Sequence, residues 1–255
     1  MYVTGLSAVG RVRSHNEDAI FHSTKPVGPL SNLFIIADGM GGHNAGEVAS
    51  AKALEHSCDF LYKYQGSVAN NAAELLNTLV TAINQANRDV YQLSVSNLDY
   101  SGMGTTFSAC TVVGDTLAVA HIGDSRIYTF ADGVLRQITN DHTMVQELLD
   151  ADEITPDEAR SHPRRNMLTK VLGCDPLIIA EETLHDINGV DSILLCSDGL
   201  TDMLTDETIQ DILGQQAATD IRAEALIDAA NANGGIDNIS VIIIDLLVKK
   251  TSTVS

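Results

Sequence analysis

The run Phe34-Ile35-Ile36-Ala37 leads directly into Asp38-Gly39, and the same pairing of a short apolar stretch with an aspartate recurs along the chain. The other three aspartates placed this way are Asp124, Asp198 and Asp237. An apolar run of this length is typical of a buried strand, and a carboxylate is unfavourable to bury there unless it is paired or bound to a metal. Carboxylates from several strands could converge at one rim of a sheet, which suits hard divalent cations. The pattern predicts a metal site.

The composition limits the kinds of partner. The 255 residues include 15 Lys+Arg and 34 Asp+Glu, for a formal net charge of −19. No basic face is available, so we expect no binding to nucleic acid. The longest apolar stretch, residues 239–248, contains Asp245 and is too short to cross a bilayer. No signal-peptide pattern is evident at the start. We expect a monomeric, cytoplasmic protein with no membrane contact.

The element pattern indicates one α+β domain over residues 1–250, followed by a short polar tail, 251–255. No linker, repeat or low-complexity tract interrupts it. Hairpin-connected strands and two helix pairs, at 45–64 with 72–95 and at 206–214 with 219–233, favour two antiparallel sheets packed face to face with a helix pair on each outer face. Residues 144–166 form a polar insertion, the flap, in which Thr155-Pro156-Asp157-Glu158 is a capping box that begins a short helix. Strands are expected at 105–113 and 116–122, near 178–184, and at 239–248, the last of the chain. His121 is expected to be a hydrogen-bonded core residue.

Seven short motifs follow one another in a distinctive order. They are Arg13-Ser-His-Asn-Glu-Asp18, Asp38-Gly-Met-Gly-Gly-His43, Gly104-Thr-Thr106, Ile122-Gly-Asp-Ser-Arg126, Leu168-Thr-Lys-Val-Leu-Gly173, Cys196-Ser-Asp-Gly-Leu200 and Asp237-Asn-Ile-Ser240. In this order the chain resembles the metal-dependent PPM (type 2C) serine/threonine protein phosphatases, especially the compact bacterial ones. The resemblance implies an αββα sandwich and phosphorylated proteins, substrates of a serine/threonine kinase, as partners.

The resemblance also implies roles for particular residues. Asp38 would bridge two Mn²⁺ or Mg²⁺ ions, with Asp198 and Asp237 completing the ligands of the first. The Gly39 carbonyl would bind the second ion, which Glu17 and Asp18 would reach largely through water. Asp124 would hold a third ion together with Asp198, and Arg13 would bind the substrate phosphate, with a structural salt bridge as the alternative. A hydroxide between the two metals would attack phosphorus directly, without a phosphoenzyme.

Two features leave alternatives open. Met40, as in many bacterial relatives, stands where eukaryotic members of the family often have a histidine that acts as general acid. The acid is therefore undefined; His43 and a metal-bound water are candidates. The insertion carries a basic run in which Arg164 and Arg165 either contact the phosphoprotein or form a solvated loop. Two alternative functions remain: a catalytically silent phosphoprotein-binding module and a hydrolase of small phosphate esters. Intact Asp38, Asp198 and Asp237 argue against the first of these.

Overall fold

Antiparallel pairing organises the strands into two sheets in the computed structural model, which describes residues 1–41, 45–66 and 71–246, the side chains of residues 160 and 161 excepted. In spatial order, the five-stranded sheet contains β1 (Tyr2–Ala8), β11 (Ile239–Asp245), β10 (Ser192–Cys196), β7 (Arg126–Ala131) and β8 (Val134–Gln137). The six-stranded sheet contains β2 (Asp18–Ser23), β3 (Leu33–Met40), β5 (Phe107–Val113), β6 (Thr116–Ile122) and β9 (Glu181–Asp186), and the short β4 (Gly104–Thr105) pairs with β3.

Helices cover the outer face of each sheet. The pair α1 (Ala45–Tyr62) and α2 (Ala72–Ser96) packs on the six-stranded sheet, whereas α6 (Asp206–Leu213) and α7 (Thr219–Ala232) pack on the five-stranded one. The insertion contains α3 (Met144–Asp150) and α4 (Pro156–Ser161), and α5 (Asp198–Thr201) is a single turn after β10. This arrangement confirms the predicted α+β sandwich.

Strand β3 shows why its apolar run is continuous. Phe34 and Ile36 face the opposite sheet, where they join a core with Ile127, Leu195 and Ile242. Leu33, Ile35 and Ala37 point the other way, into the core beneath α1 and α2. Successive side chains of a strand alternate between the two faces of the sheet, and both faces of this strand are covered. No polar side chain therefore occurs in this strand before Asp38, two residues from its end at Met40.

Three strand boundaries differ from the sequence prediction. The expected strand at 178–184 is instead β9, because Ile179 is 81% exposed and pairing with β6 begins only at Glu181. The apolar run at 177–179 therefore precedes the edge strand.

The strand expected from Thr105 is interrupted at Thr106, whose hydroxyl accepts a hydrogen bond from the Asp38 backbone N–H. The last strand ends at Asp245, and the rest of that prediction lies partly outside the described residues. The capping box at Thr155 is confirmed.

None of the helices in the described parts of the chain combines the length and hydropathy needed to cross a bilayer.

Candidate metal centre

Asp18 and Asp38 are brought together by strand register. Strands β2 and β3 pair so that Asp18 lies directly opposite Asp38. Directly opposed residues of an antiparallel pair have Cβ atoms about 4.5–5.5 Å apart. Two carboxylates in this position repel each other unless a proton or a cation lies between them, so the pairing is unfavourable in the absence of either.

The five-stranded sheet contributes Asp124, Asp198 and Asp237 at the same end of the sandwich. Asp198 follows β10, Asp237 precedes the antiparallel β11, and Asp124 precedes β7, which also pairs antiparallel with β10. The end of β10 therefore meets the beginnings of both neighbours. The carboxyls of Asp38 and Asp198 interact with each other, and the negative charge of Asp198 raises the pKa of Asp38. The structure brings all five predicted aspartates to one rim.

Burial and mutual repulsion raise the pKa values of four carboxyls at the rim, those of Asp18, Asp38, Asp124 and Asp198. Burial is the main cause in every case, raising the pKa of Asp18 to about 7 and that of Asp198 to about 6. The pKa values of Asp38 and Asp124 lie well above their usual range, and the nearby Asp198 adds to the shift in both. Each carboxyl is thus held where its ionised form is unfavourable, a situation that a bound cation reverses.

Two carboxylate oxygens in this group are buried and have no hydrogen-bond partner among the described residues: Asp18 Oδ1 and Asp198 Oδ1. The other oxygen of Asp18 accepts hydrogen bonds from Ser240 Oγ at 2.6 Å and Ser197 Oγ at 2.8 Å. These two serines fix the orientation of the Asp18 carboxylate from the opposite sheet. Buried polar atoms are rarely left unsatisfied, so the two free oxygens fit a hard cation as their partner.

The Asp38 backbone is fixed by the motif Gly104-Thr105-Thr106. The Asp38 N–H donates to Thr106 Oγ1 at 2.9 Å, and its carbonyl accepts from the Thr105 hydroxyl at 2.9 Å and the Thr106 N–H at 2.8 Å. The next residue, Gly39, lies against the start of α1. A Cβ added at Gly39 would lie 2.1 Å from the Gly46 carbonyl oxygen, so only glycine lets the backbone approach so closely.

Asn238 secures the loop that carries the residues predicted at the second ion. Its side-chain oxygen accepts from the Glu17 N–H at 2.8 Å, and its NH₂ group donates to the carbonyls of Val9 and His15, both at 2.9 Å. The Glu17 side chain is partly buried, and burial raises the pKa of its carboxyl. Glu17 lies next to the N-terminus of α1, where a Cβ on Gly46 would meet Glu17 Oε1 at 2.6 Å.

Arg13 forms a salt bridge with Asp237, with Arg13 Nη2 and Asp237 Oδ2 2.7 Å apart. The Arg13 side chain is 49% exposed, and its hydrogen bond to Asp237 raises the pKa of the guanidinium. The salt bridge considered as the alternative for Arg13 is therefore present, and it holds a permanent cation at the rim of the carboxylate group.

The insertion contacts the same region through α5. Asn166 Nδ2 donates to Asp202 Oδ2 at 3.3 Å, and Arg165 Nη2 lies 3.9 Å from the same oxygen. Asp202 is four residues after Asp198, at the C-terminal end of that helical turn. Arg164 and Arg165 are both exposed. The basic run is thus anchored beside the carboxylate group and remains open to solvent.

The protein side chains do not complete a coordination shell. Within the described ranges, no three His, Cys, Asp or Glu side chains form a group that could by itself hold a metal ion. Mg²⁺ and comparable hard cations keep several waters and need only one or two carboxylates, so an open cluster with free carboxylate oxygens suits them. A separate cavity of about 440 Å³, beneath the C-terminal end of α2, contains none of these carboxylates.

The side-chain candidate for the general acid, His43, lies outside the described residues. Met40, at the position where eukaryotic members of the family often have a histidine, is 39% exposed at the end of β3.

His121 is buried, with Nδ1 2.8 Å from Ser108 Oγ and Nε2 3.1 Å from the Asn140 carbonyl oxygen, which confirms it as a hydrogen-bonded core residue.

The sequence analysis missed two residues that support the rim, Asp141 and His142. Both contact the turn that carries Asp124. The sequence from Thr143 to Gln146 matches the start of a capping box, and the Thr143 hydroxyl does accept from the Gln146 N–H at 3.2 Å. That signal marks a helix start, and it places Asp141 and His142 in the turn immediately before it.

Comparison with known proteins shows the family to which the chain belongs. The family described as "Protein phosphatase 2C" matches residues 10–228. The chain is 38% identical to the serine/threonine phosphatase stp of Listeria monocytogenes, over 92% of each chain. The crystal structure of the serine/threonine phosphatase Stp1 from Staphylococcus aureus has a TM-score of 0.88 at 32% identity and covers 96% of this chain and 94% of its own. The catalytic domain of the serine/threonine protein phosphatase PstP, in complex with two manganese ions, has a TM-score of 0.82 at 35% identity, covering 96% of this chain and 97% of its own.

The chain belongs to the protein phosphatase 2C family, a class of enzymes that the sandwich fold and the ordered motifs also define.

Proposed function

We propose that the chain hydrolyses phosphoserine and phosphothreonine in proteins, and that it requires divalent cations held by the clustered aspartates. The observation that carries the proposal is the convergence of five aspartates with two buried, unpartnered carboxylate oxygens. Relatives named as serine/threonine phosphatases, one of them solved with two manganese ions, support the substrate class and the metal.

The residues present fit Mn²⁺ or Mg²⁺ because every donor is an oxygen. Asp38, Asp198 and Asp237 would hold the first ion, while Asp38 and the Gly39 carbonyl would hold the second, with Glu17 and Asp18 acting largely through water. Asp124 and Asp198 would hold a third. When bound, the cations would activate the attacking water and neutralise charge on the phosphoryl group.

Arg13 would bind the phosphate of the substrate. Its salt bridge to Asp237 leaves about half of the side chain exposed at the rim, and a guanidinium pairs well with phosphate oxygens. No residue of the chain needs to become phosphorylated in this scheme. Direct attack by water would place the leaving seryl or threonyl oxygen on the side of phosphorus opposite the attacking oxygen.

The test is hydrolysis of a phosphothreonine peptide by the purified protein, first with Mn²⁺ and then with a chelator. We expect turnover that depends on Mn²⁺ and is lost in Asp198→Ala. Hydrolysis of nucleotide or sugar phosphates in preference to the peptide would contradict the substrate class. A folded protein that binds Mn²⁺ but hydrolyses no phosphate ester would instead favour a silent binding module.

The flap arginines are expected to act on substrate binding. Replacing both Arg164 and Arg165 with alanine should raise KM for an acidic phosphopeptide about three- to tenfold, because these cations offset the repulsion from a chain of net charge −19. KM for a small aryl phosphate should change little. A matched control replaces Lys25 and Arg88, which are also exposed, and removes the same charge elsewhere. Equal effects on both substrates would contradict a contact with the peptide.

The proposal includes a cellular setting. The substrates would be the phosphorylated products of a serine/threonine kinase, and the enzyme would act as a cytoplasmic monomer. The basic flap in an otherwise acidic chain supports a protein substrate rather than a small one.

A further inference from the structure

The turn that carries Asp124 is held at both ends by two consecutive residues outside the metal centre. The Gly123 N–H donates to Nδ1 of His142 at 3.1 Å, and the His142 N–H donates back to the Gly123 carbonyl at 2.8 Å. On the other side, the Arg126 guanidinium bonds both carboxylate oxygens of Asp141, at distances of 2.7–3.0 Å. The turn between Gly123 and Arg126 is therefore clamped at each end.

The turn requires this support because its backbone is unusual. Gly123 has a φ of +103°, and a Cβ at this position would lie 2.6 Å from the Thr106 side chain. Asp124 follows with a carboxyl that burial and Asp198 disfavour in its ionised form. A flexible turn could swing this carboxylate towards solvent, whereas the two bonds to His142 prevent Gly123 from rotating.

His142 is arranged to accept a hydrogen bond. Because a backbone N–H can only donate, Nδ1 of His142 carries no proton and Nε2 carries it, 3.6 Å from Glu181 Oε2. The ring is buried and stacks on His121, with centroids 4.9 Å apart and planes inclined by 19°. Burial lowers the pKa of His142 to about 4, so the accepting form is present at neutral pH.

The base of the flap fixes the backbone of His142 in turn. The Thr169 N–H donates to the His142 carbonyl at 2.8 Å, and the Met144 N–H donates to the Met167 carbonyl at 2.8 Å. The two ends of the insertion are thus paired with each other directly beside the Asp124 turn. His142 is the residue through which that paired base meets Gly123.

We propose that Asp141 and His142 are positioning residues, which hold Asp124 where it can share a divalent cation with Asp198. The inference rests on the proposed function, because it takes Asp124 as a ligand of the third ion. Partners that orient a metal ligand without touching the metal typically affect metal affinity 10–100-fold. A merely structural clamp would affect thermal stability and leave cation binding unchanged.

The test compares His142→Leu with His142→Asn by calorimetric titration of Mn²⁺ into the purified protein. Leucine removes the acceptor, whereas the asparagine oxygen can take the place of Nδ1. We expect His142→Leu to weaken the weakest Mn²⁺ site about tenfold and to spare the others, and His142→Asn to retain most of the affinity. If His142→Leu does not fold, Asp141→Asn, which weakens the Arg126 side of the clamp, should show the same selective loss.

A double variant separates this role from the proposed function. In Asp124→Asn the weakest site should be missing, and adding His142→Leu should change no remaining Mn²⁺ affinity. A lower melting temperature with an unchanged Mn²⁺ titration, or a failure of asparagine to rescue, would overturn the positioning role. An unchanged titration in Asp124→Asn alone would overturn both that role and the third ion. Loss of Mn²⁺-dependent hydrolysis in Asp198→Ala would still support the phosphatase.

Discussion

Replacing Asp38 with asparagine is expected to lower kcat/KM on a phosphothreonine peptide at least about 10³-fold in the presence of Mn²⁺, since cations contribute several kcal/mol to transition-state stabilisation and each 1.36 kcal/mol is tenfold in rate. Asp38 is the side chain proposed to contact both the first and the second ion. Its backbone is held by Thr105 and Thr106 and its carboxyl faces Asp18 across the strand pair. Asparagine keeps the shape and loses the charge.

The loss must come from the site and not from unfolding. Asp38→Asn removes a carboxyl whose pKa burial raises well above its usual range, so the metal-free variant should melt no lower than the wild type at neutral pH. Asp115→Asn is the matched control, because Asp115 is exposed in the β5–β6 hairpin at the opposite end of the sheet. A variant that keeps more than a tenth of wild-type kcat/KM would contradict a bridging role for Asp38.

Local signals account for the parts of the fold that the sequence predicts well. The run that became β6 begins and ends at the predicted residues, Thr116 and Ile122, because a turn on each side limits an apolar strand. Thr155 begins α4 as predicted, because its capping contacts involve residues only three positions away. The rim aspartates are predictable for the same reason: each is attached to its own buried run.

Long-range pairing accounts for what the sequence leaves open. That Asp18 faces Asp38 follows from the register of two strands, and no property of either strand alone determines it. The hydrogen bonds from the Arg126 guanidinium to Asp141 join residues 15 positions apart, on either side of the β7–β8 hairpin. Apolar Ile179 favours a strand by composition, yet the register of β9 against β6 leaves it exposed. Contacts of this kind depend on the assembled sheets.

The rim aspartates are also expected to destabilise the metal-free protein, and Asp18→Asn measures by how much. The pKa of Asp18 is raised to about 7 from an ordinary 3.8, chiefly by burial. Between these two values the folded state holds a proton that the unfolded chain has released, so stability is full below about pH 4 and falls as pH rises towards 7. Asparagine does not ionise, and its oxygen can still accept from Ser197 and Ser240.

The metal-free Asp18→Asn protein should therefore match the wild type near pH 3.5 and exceed its free energy of unfolding by roughly 2–4 kcal/mol at pH 7.5. The difference in unfolding free energy between the two proteins is the quantity to measure, because His121 and His142 give the free energy of unfolding the opposite dependence on pH. Burial lowers their pKa values to about 3 and about 4, so their contribution to stability grows as pH rises. Those two groups are identical in both proteins, and their effect cancels.

Urea unfolding in the presence of a chelator at the two pH values tests the difference, and saturating Mn²⁺ should then reverse its sign at pH 7.5. Cations that bind only the folded state stabilise it, and the wild type, with the full set of carboxylates, should gain more than Asp18→Asn. If the variant is less stable than the wild type at both pH values without metal, the hydrogen bonds that the Asp18 carboxylate accepts from the two serines stabilise the wild type more than its buried charge destabilises it. If it is more stable and Mn²⁺ does not reverse the order, Asp18 does not take part in cation binding. The reversal is expected because the buried negative charges that destabilise the metal-free rim are the same charges that attract the cations.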